Sequence, residues 1–171
     1  RLGLATAIEL QKNGYQVVIT YRNHRPILDE LEASGIVTIH ANFGDEQGIS
    51  RLTTKLCSQF DSLRAIIHNA SEWLPESPYQ TDESVMQCMM NTHVMAPYLI
   101  NQACGDMLVR HGKKNGHADI IHMSDYVAAN GSKKHIAYAA SKAALDNLTL
   151  SYASKLAPWV KVNSIAPALL M

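Results

Sequence analysis

Cysteine is scarce in this chain. Cys57, Cys88 and Cys104 are three in 171 residues, an odd number with no Cys-x-x-Cys and no Cys/His ligand spacing. That excludes a disulfide scaffold and a zinc module, and it points to a reducing, cytosolic compartment. No run approaches the roughly eighteen apolar residues needed to cross a bilayer, and no charged start followed by a short apolar run marks a secretion signal. Neither sign of charge dominates: Lys plus Arg and Asp plus Glu each total 15. A nucleic-acid binder relying on bulk positive charge is therefore excluded. The 8 histidines are scattered rather than paired at ligand spacing, so no metal site is expected.

What is present suffices for a core. Hydrophobic residues make up 47% and charged residues 18%, a balance that argues against disorder. The length corresponds to about one domain of roughly 150 residues, so residues 1–171 are expected to form a single domain. The chain starts without Met in a helical pattern and runs on from its last strand without a stop. It reads as a segment of a longer chain. There is no internal repeat at a solenoid period and no low-complexity segment.

Leu2, Ala5, Ile8 and Leu10 share one helical face and Asn13-Gly14 supplies a stop, which predicts a helix over 1–13. The β-branched and aromatic run 15–21 predicts a strand, followed by a helix from Pro26 to before Gly35. Strands over 36–41 and 63–68 flank a helix over 45–60. A loop with Trp73, Pro75 and Pro78 precedes a long helix over about 83–110, and Gly112 to Gly116 reads as a polar connection. A strand over 119–123, a loop through Gly131, a helix over about 135–156 stopped by Pro158 and a strand over 160–165 complete the series. Strands alternating with helices predict an α/β fold, a doubly wound parallel sheet in a three-layer α/β/α arrangement.

In such sheets ligands gather beyond the carboxyl ends of the strands. His68-Asn69-Ala70-Ser71 follows one strand, Ser124-Asp125-Tyr126 follows another, and the next helix carries Tyr138 and Lys142. Those two are four apart and share a helical face. An ammonium beside a phenol favours the phenolate, so Lys142 is expected to lower the pKa of Tyr138 toward the range of a general acid or base. The pair alone has an ordinary alternative, a surface pairing without chemistry.

Together with the Asn-Ala-Ser turn at 69–71 and Val162-Asn163-Ser164-Ile165-Ala166-Pro167, the pair resembles the short-chain dehydrogenase/reductase family across essentially the whole chain. Arg1-Leu2-Gly3 resembles the tail of that family's glycine-rich cofactor loop. The resemblance implies a Rossmann-like domain that here lacks its first strand and its C-terminal substrate-covering region. The family's serine, thirteen residues before the tyrosine, is replaced by Asp125. That aspartate resembles the pteridine reductase branch, in which an Asp/Tyr pair with the lysine relays a proton. His93 stands where the family has a catalytic asparagine that bends its helix; a packed helix histidine is the other reading.

The resemblance implies catalytic roles for Asp125, Tyr138, Lys142 and His93. It implies cofactor contacts from Arg1, Gly3, Arg22, Asn23, His24, Asn42, Phe43, Asn69, Ala70, Ser71, Tyr138, Lys142 and Pro167. Arg1, Ser71, Trp73, Asp125 and Tyr138 would meet the substrate. Trp73 would stack on a flat pterin, or else caps the core; Ser71 would bond pterin or cofactor phosphate, or else stabilises its turn. No acid occupies Tyr21 to Arg25, and Arg22 stands where relatives that bind NAD carry one, which favours the 2′-phosphate of NADPH; a solvated arginine is the alternative. Whether Asp125 works protonated or as an anion holding the pterin amino group stays open. The Met86, Met89, Met90 and Met95 cluster reads as helix packing or subunit contact.

The implied activity is NADPH-dependent reduction of a 7,8-dihydropterin, dihydrofolate and dihydrobiopterin included, to the tetrahydro form. The competing readings are a general carbonyl or 3-oxoacyl reductase and a cofactor-binding sensor without catalysis. A cytoplasmic homotetramer is implied, its long helices packing across subunits around Met95 and Leu148.

Overall fold

The computed structural model describes residues 2–44, 46–76 and 81–168. They gather into two compact units, one running up to Leu52 and the other from Thr53 onward. In the first, α1 (Leu2–Lys12), β1 (Val18–Tyr21), α2 (Ile27–Ala33) and β2 (Val37–His40) alternate. β1 and β2 pair in parallel, from Val18 beside Val37 to Tyr21 beside His40. Ala7, Leu28, Leu31 and Ile36 are the buried centre, flanked by Ile8, Val17 and Ile19. The division falls inside α3 (Glu46–Gln59).

The second unit holds β3 (Ala65–His68), α4 (Asp82–Met90), a π-helical turn (Asn91–Met95), α5 (Ala96–Asn115), β4 (Ala118–Met123), α6 (Val127–Asn130), α7 (Ile136–Leu156) and β5 (Val160–Ile165). β4 is central and parallel to both neighbours, His68 lying beside His122 and Met123 beside Ile165. Leu108 of α5 and Tyr152 and Leu156 of α7 pack with Ile120, Val160 and Val162 of the strands. Each such apolar side chain taken out of water contributes about 1.5–3 kcal/mol. Parallel strands with helices on both sides realise the α/β class expected from the alternation. Among the described residues no helix is long and apolar enough to cross a membrane.

Three local expectations are corrected. The long helix is interrupted by the π turn, where the Ala96 N–H reaches back five residues to the Asn91 carbonyl. Gly112 to Asn115 is not a connection but the last turn of α5, which ends at Gly116 with φ +98°. Gly112 serves contact rather than a turn, since a Cβ there would come within 2.2 Å of the Trp159 carbonyl oxygen. Finally, the loop after β4 contains the single turn α6, too short for apolar periodicity to show.

A buried polar ladder crosses this unit. The His68 Nε2–H donates to Asn101 Oδ1 at 2.8 Å, and Asn101 Nδ2 donates to His122 Nε2 at 3.3 Å. His122 Nδ1–H donates to Thr149 Oγ1 at 2.8 Å, which donates to the Leu145 carbonyl at 3.0 Å. Each proton has one place, which requires His122 to be neutral. Burial accordingly pushes His68 down to about 4 and His122 to about 3.

These histidines take up protons in the unfolded chain near pH 6.5 but in the folded chain only near pH 4 and below. The unfolded state therefore binds more protons between those limits, and stability falls as pH drops through that window, by up to about 1.4 kcal/mol per pH unit for each histidine. Urea midpoints measured from pH 7 to pH 4.5 should decline, and His122→Gln should make the decline shallower. Midpoints that stay level down to pH 4.5 would contradict the ladder.

Candidate active site

The carboxyl end of β4 delivers Asp125, and α7 delivers Tyr138 and Lys142 one turn apart. Asp125 Oδ1 accepts the Val127 N–H at 3.0 Å, which starts α6, and Oδ2 accepts the Tyr138 hydroxyl at 2.8 Å. The carboxylate is thus aimed by a backbone turn of its own. Lys142, 2% exposed, donates from Nζ to the Met123 carbonyl at 2.7 Å and lies 5.5 Å from the Tyr138 ring centre.

The electrostatics differ from the expectation that Lys142 lowers the Tyr138 pKa. Burial first, and then the Asp125 hydrogen bond and charge, push that phenol well above its ordinary value, with a hydrogen bond from Ser71 opposing. A phenolate beside a carboxylate is disfavoured, whereas a phenol donating to it is not. Tyr138 therefore rests as a proton donor. Lys142 moves the other way, down to about 8, because burial of its ammonium outweighs the charges of Asp125 and Asp146.

His93 sits in the π turn, 1% exposed, with both ring nitrogens engaged. The Glu72 N–H donates to its Nε2 at 3.2 Å and Ser71 Oγ lies 2.9 Å from the same atom. A backbone N–H only donates, so Nε2 carries no proton and Nδ1–H donates to Ser141 Oγ at 2.7 Å. Ser141 in turn donates to the Tyr138 carbonyl at 2.7 Å. Burial and the Lys142 charge lower His93 to about 3. The ring is a neutral bolt between the turn after β3 and α7, edge-on to Tyr138 at 5.4 Å.

Trp73, Asp125, Val127, Ser132, His135, Tyr138 and Ala168 line a cavity of about 300 Å³, the lower end of the range for small-molecule sites. The indole is 66% exposed and stacks on His135, ring centres 4.2 Å apart and planes 16° from parallel. Pro167 lies at this edge, its carbonyl accepting the Tyr126 N–H at 3.1 Å. Asn69 and Ala70 follow β3 and lead to Ser71, the Asn69 N–H turning back to the Ile67 carbonyl at 3.1 Å.

In the first unit a second cavity, of about 220 Å³, is lined by Tyr21, Arg22, Asn23, Arg25, Ile27 and Leu28. Among the described residues its lining holds two guanidinium groups, those of Arg22 and Arg25. Arg25, which is not among the cofactor contacts expected from the sequence, joins Arg22 there. His24 turns instead to Asp29, at 3.2 Å. Asn42 folds its Oδ1 onto the Gly44 N–H at 3.1 Å, with Phe43 between them, and Gly3 lies in the first turn of α1. Arg1 lies outside the described residues.

The profile described as short chain dehydrogenase matches residues 2–171. The chain is 47% identical over 171 residues to a protein of Citrobacter koseri named dihydromonapterin reductase, covering 100% of this chain and 70% of that one. It is 49% identical, with the same coverage, to an Enterobacter protein of that name. Among solved structures it is similar to an apo SCOR enzyme from Clostridium thermocellum, with TM-score 0.86, 20% identity and coverage of 97% of this chain and 67% of that one. It is also similar to L-sorbose reductase from Gluconobacter frateurii complexed with NADPH and L-sorbose, with TM-score 0.85, 21% identity and coverage of 99% and 65%. At these identities the structures speak for the fold alone.

The lysine can be tested without substrate. Its ammonium should lose a proton as pH rises through about 8 rather than 10.5. Removing the Asp125 charge, which favours the ammonium, should lower the midpoint further in Asp125→Asn. Carbon-13 NMR of the labelled lysine Cε reads both, and a Lys142 midpoint near 10.5 would refute the burial argument.

Proposed function

Because the chain belongs to the short-chain dehydrogenase family, and is an oxidoreductase on that ground, we propose that it uses NADPH to reduce a 7,8-dihydropterin to the tetrahydro form. Dihydromonapterin is the proposed substrate, supported by relatives 47% and 49% identical that are named dihydromonapterin reductase. Dihydrofolate and dihydrobiopterin carry the same ring. The observation that carries this reading is one cavity lined by both an exposed indole and a hydrogen-bonded Asp/Tyr pair.

The cofactor is supported by donor chemistry. Arg22 and Arg25 bring two guanidinium groups to one lining, a donor set that suits a 2′-phosphate. Asn69, Ala70, Ser71, Lys142 and Pro167 would contact the nicotinamide half. When bound, NADPH supplies the hydride.

The remaining work falls to the protein. Trp73 would hold one face of the flat ring, fixing the reacting atoms at near-attack separation. Tyr138 holds the transferable proton on its phenolic oxygen. Its release would leave a phenolate 2.8 Å from a carboxylate oxygen of Asp125, an arrangement that needs the nearby Lys142 charge or a proton brought to the carboxylate. Asp125 as an anion would also accept from the pterin amino group.

NADPH oxidation should be rapid with dihydromonapterin and negligible with a 3-oxoacyl substrate or with none. Tyr138→Phe should lower kcat by roughly 10²–10⁴-fold, and Arg22→Asp should weaken NADPH binding by about tenfold or more while favouring NADH. Turnover of the 3-oxoacyl substrate without pterin turnover would make the enzyme a carbonyl reductase. NADPH binding with neither activity would make it a sensor.

A homotetramer is supported by the exposure of Met95 at the end of the π turn, 40%, and of Tyr98 and Leu150 on the long helices, 41% and 70%. Leu148, expected at the same contact, instead packs against the core. Light scattering of the intact protein should give four copies, and Leu150→Glu should dissociate them. A wild-type monomer would end this part of the reading.

A further inference from the structure

The stacking ring of the cavity is itself held, and the residue that holds it stands at the start of the helix that carries the proton donor. His135 is the N-terminal cap residue of α7, three positions before Tyr138. Its imidazole covers one face of Trp73 at 4.2 Å. The ring makes a second contact on the same loop, Nδ1–H donating to the Leu74 carbonyl at 3.2 Å. It thus grips both the indole plane and the backbone next to it. The Ala137 N–H donates to Glu76 Oε1 at 2.9 Å, a further tie between this loop and the first turn of α7, and the His135 N–H donates to Ser132 Oγ at 3.2 Å in the segment before the helix. An indole 66% exposed and otherwise unsupported would sample several rotamers.

We infer that His135 is a positioning residue for the flat substrate: by occupying one face of Trp73 it leaves the opposite face as the only stacking platform, in fixed register with Tyr138. The spacing is set within one helical turn, because the cap residue fixes the indole and the residue three further on offers the proton. A planar heterocycle is then received on one side, and its orientation toward Asp125 and Tyr138 follows. This inference rests on the pterin reading for the identity of the ring. The grip of His135 on Trp73 belongs to the protein without ligand.

Two measurements on the intact protein separate these parts. The first is lifetime-corrected acrylamide quenching of Trp73 fluorescence in a Trp159→Phe background, without substrate or cofactor. His135→Ala should raise the quenching constant about twofold, since a covered ring face opens, whereas His135→Phe should keep it near wild type. The second is steady-state kinetics with dihydromonapterin. His135→Ala should raise KM roughly three- to tenfold with a smaller change in kcat, and His135→Phe should restore it. His135→Asn keeps a donor for the Leu74 carbonyl without the ring and should behave as His135→Ala; it replaces that variant if alanine prevents folding. Wild-type quenching and KM in both His135→Ala and His135→Asn would overturn the inference, as would His135→Phe behaving like alanine. If no pterin is turned over by the wild type while quenching responds as expected, the substrate reading fails and the grip on Trp73 stands.

Discussion

Burying an ammonium group at the end of a β-strand is costly unless hydrogen bonds replace its water, and much of the second unit is arranged around meeting that demand at Lys142. Its proton goes to the Met123 carbonyl, the last residue of β4, which ties the middle of α7 to the strand end. With that helix seated, Tyr138 one turn earlier falls against Asp125, two residues beyond Met123. One buried contact thus sets the spacing between acid and carboxylate. The incomplete compensation shows in the lysine's lowered affinity for its proton.

A positive charge that is poorly solvated tolerates no second one nearby, and the surrounding histidines are accordingly neutral. His93 and His122 both feel Lys142, and both have their ring nitrogens committed to neighbours. They add shape and direction without adding charge. These two rings are thus committed to protein neighbours, while the indole and the Asp/Tyr pair line the cavity.

Much of this could be read from the chain alone. Short β-branched runs located all five described strands, and helical apolar spacing the long helices, because burial selects both. Asp125, Tyr138, Lys142 and Trp73 were found by spacing and resemblance, and the structure brings them together. The misses have physical causes. Lys113 and Lys114 looked like a solvated connection, yet cations suit the last turn of a helix, and Gly116 rather than Gly112 carries the stop. The direction of the Tyr138 shift depends on burial and on which neighbour accepts its proton, and spacing along a helix encodes neither. His135 gave no signal beyond its place before the helix, since its partner lies 62 positions earlier and they meet only through the fold.

The π turn at 91–95 has a consequence for how this stretch of chain can vary. A π turn accommodates one residue more than a regular helix would over the same rise, and one residue corresponds to about 100° of rotation. Were the same residues wound as one regular helix without the π turn, α5 would be turned by about that angle against α4, and the two halves would no longer face the directions they now face. Val85 and Met89 of α4 pack behind Tyr138, and Ile100 and Leu108 of α5 are buried farther along. Only one of these sets could keep its place. The extra residue works as a phase adjuster between two stripes of apolar side chains. Through it, chain length in this segment is tied to the seating of the proton donor, which lies more than forty positions farther along the chain.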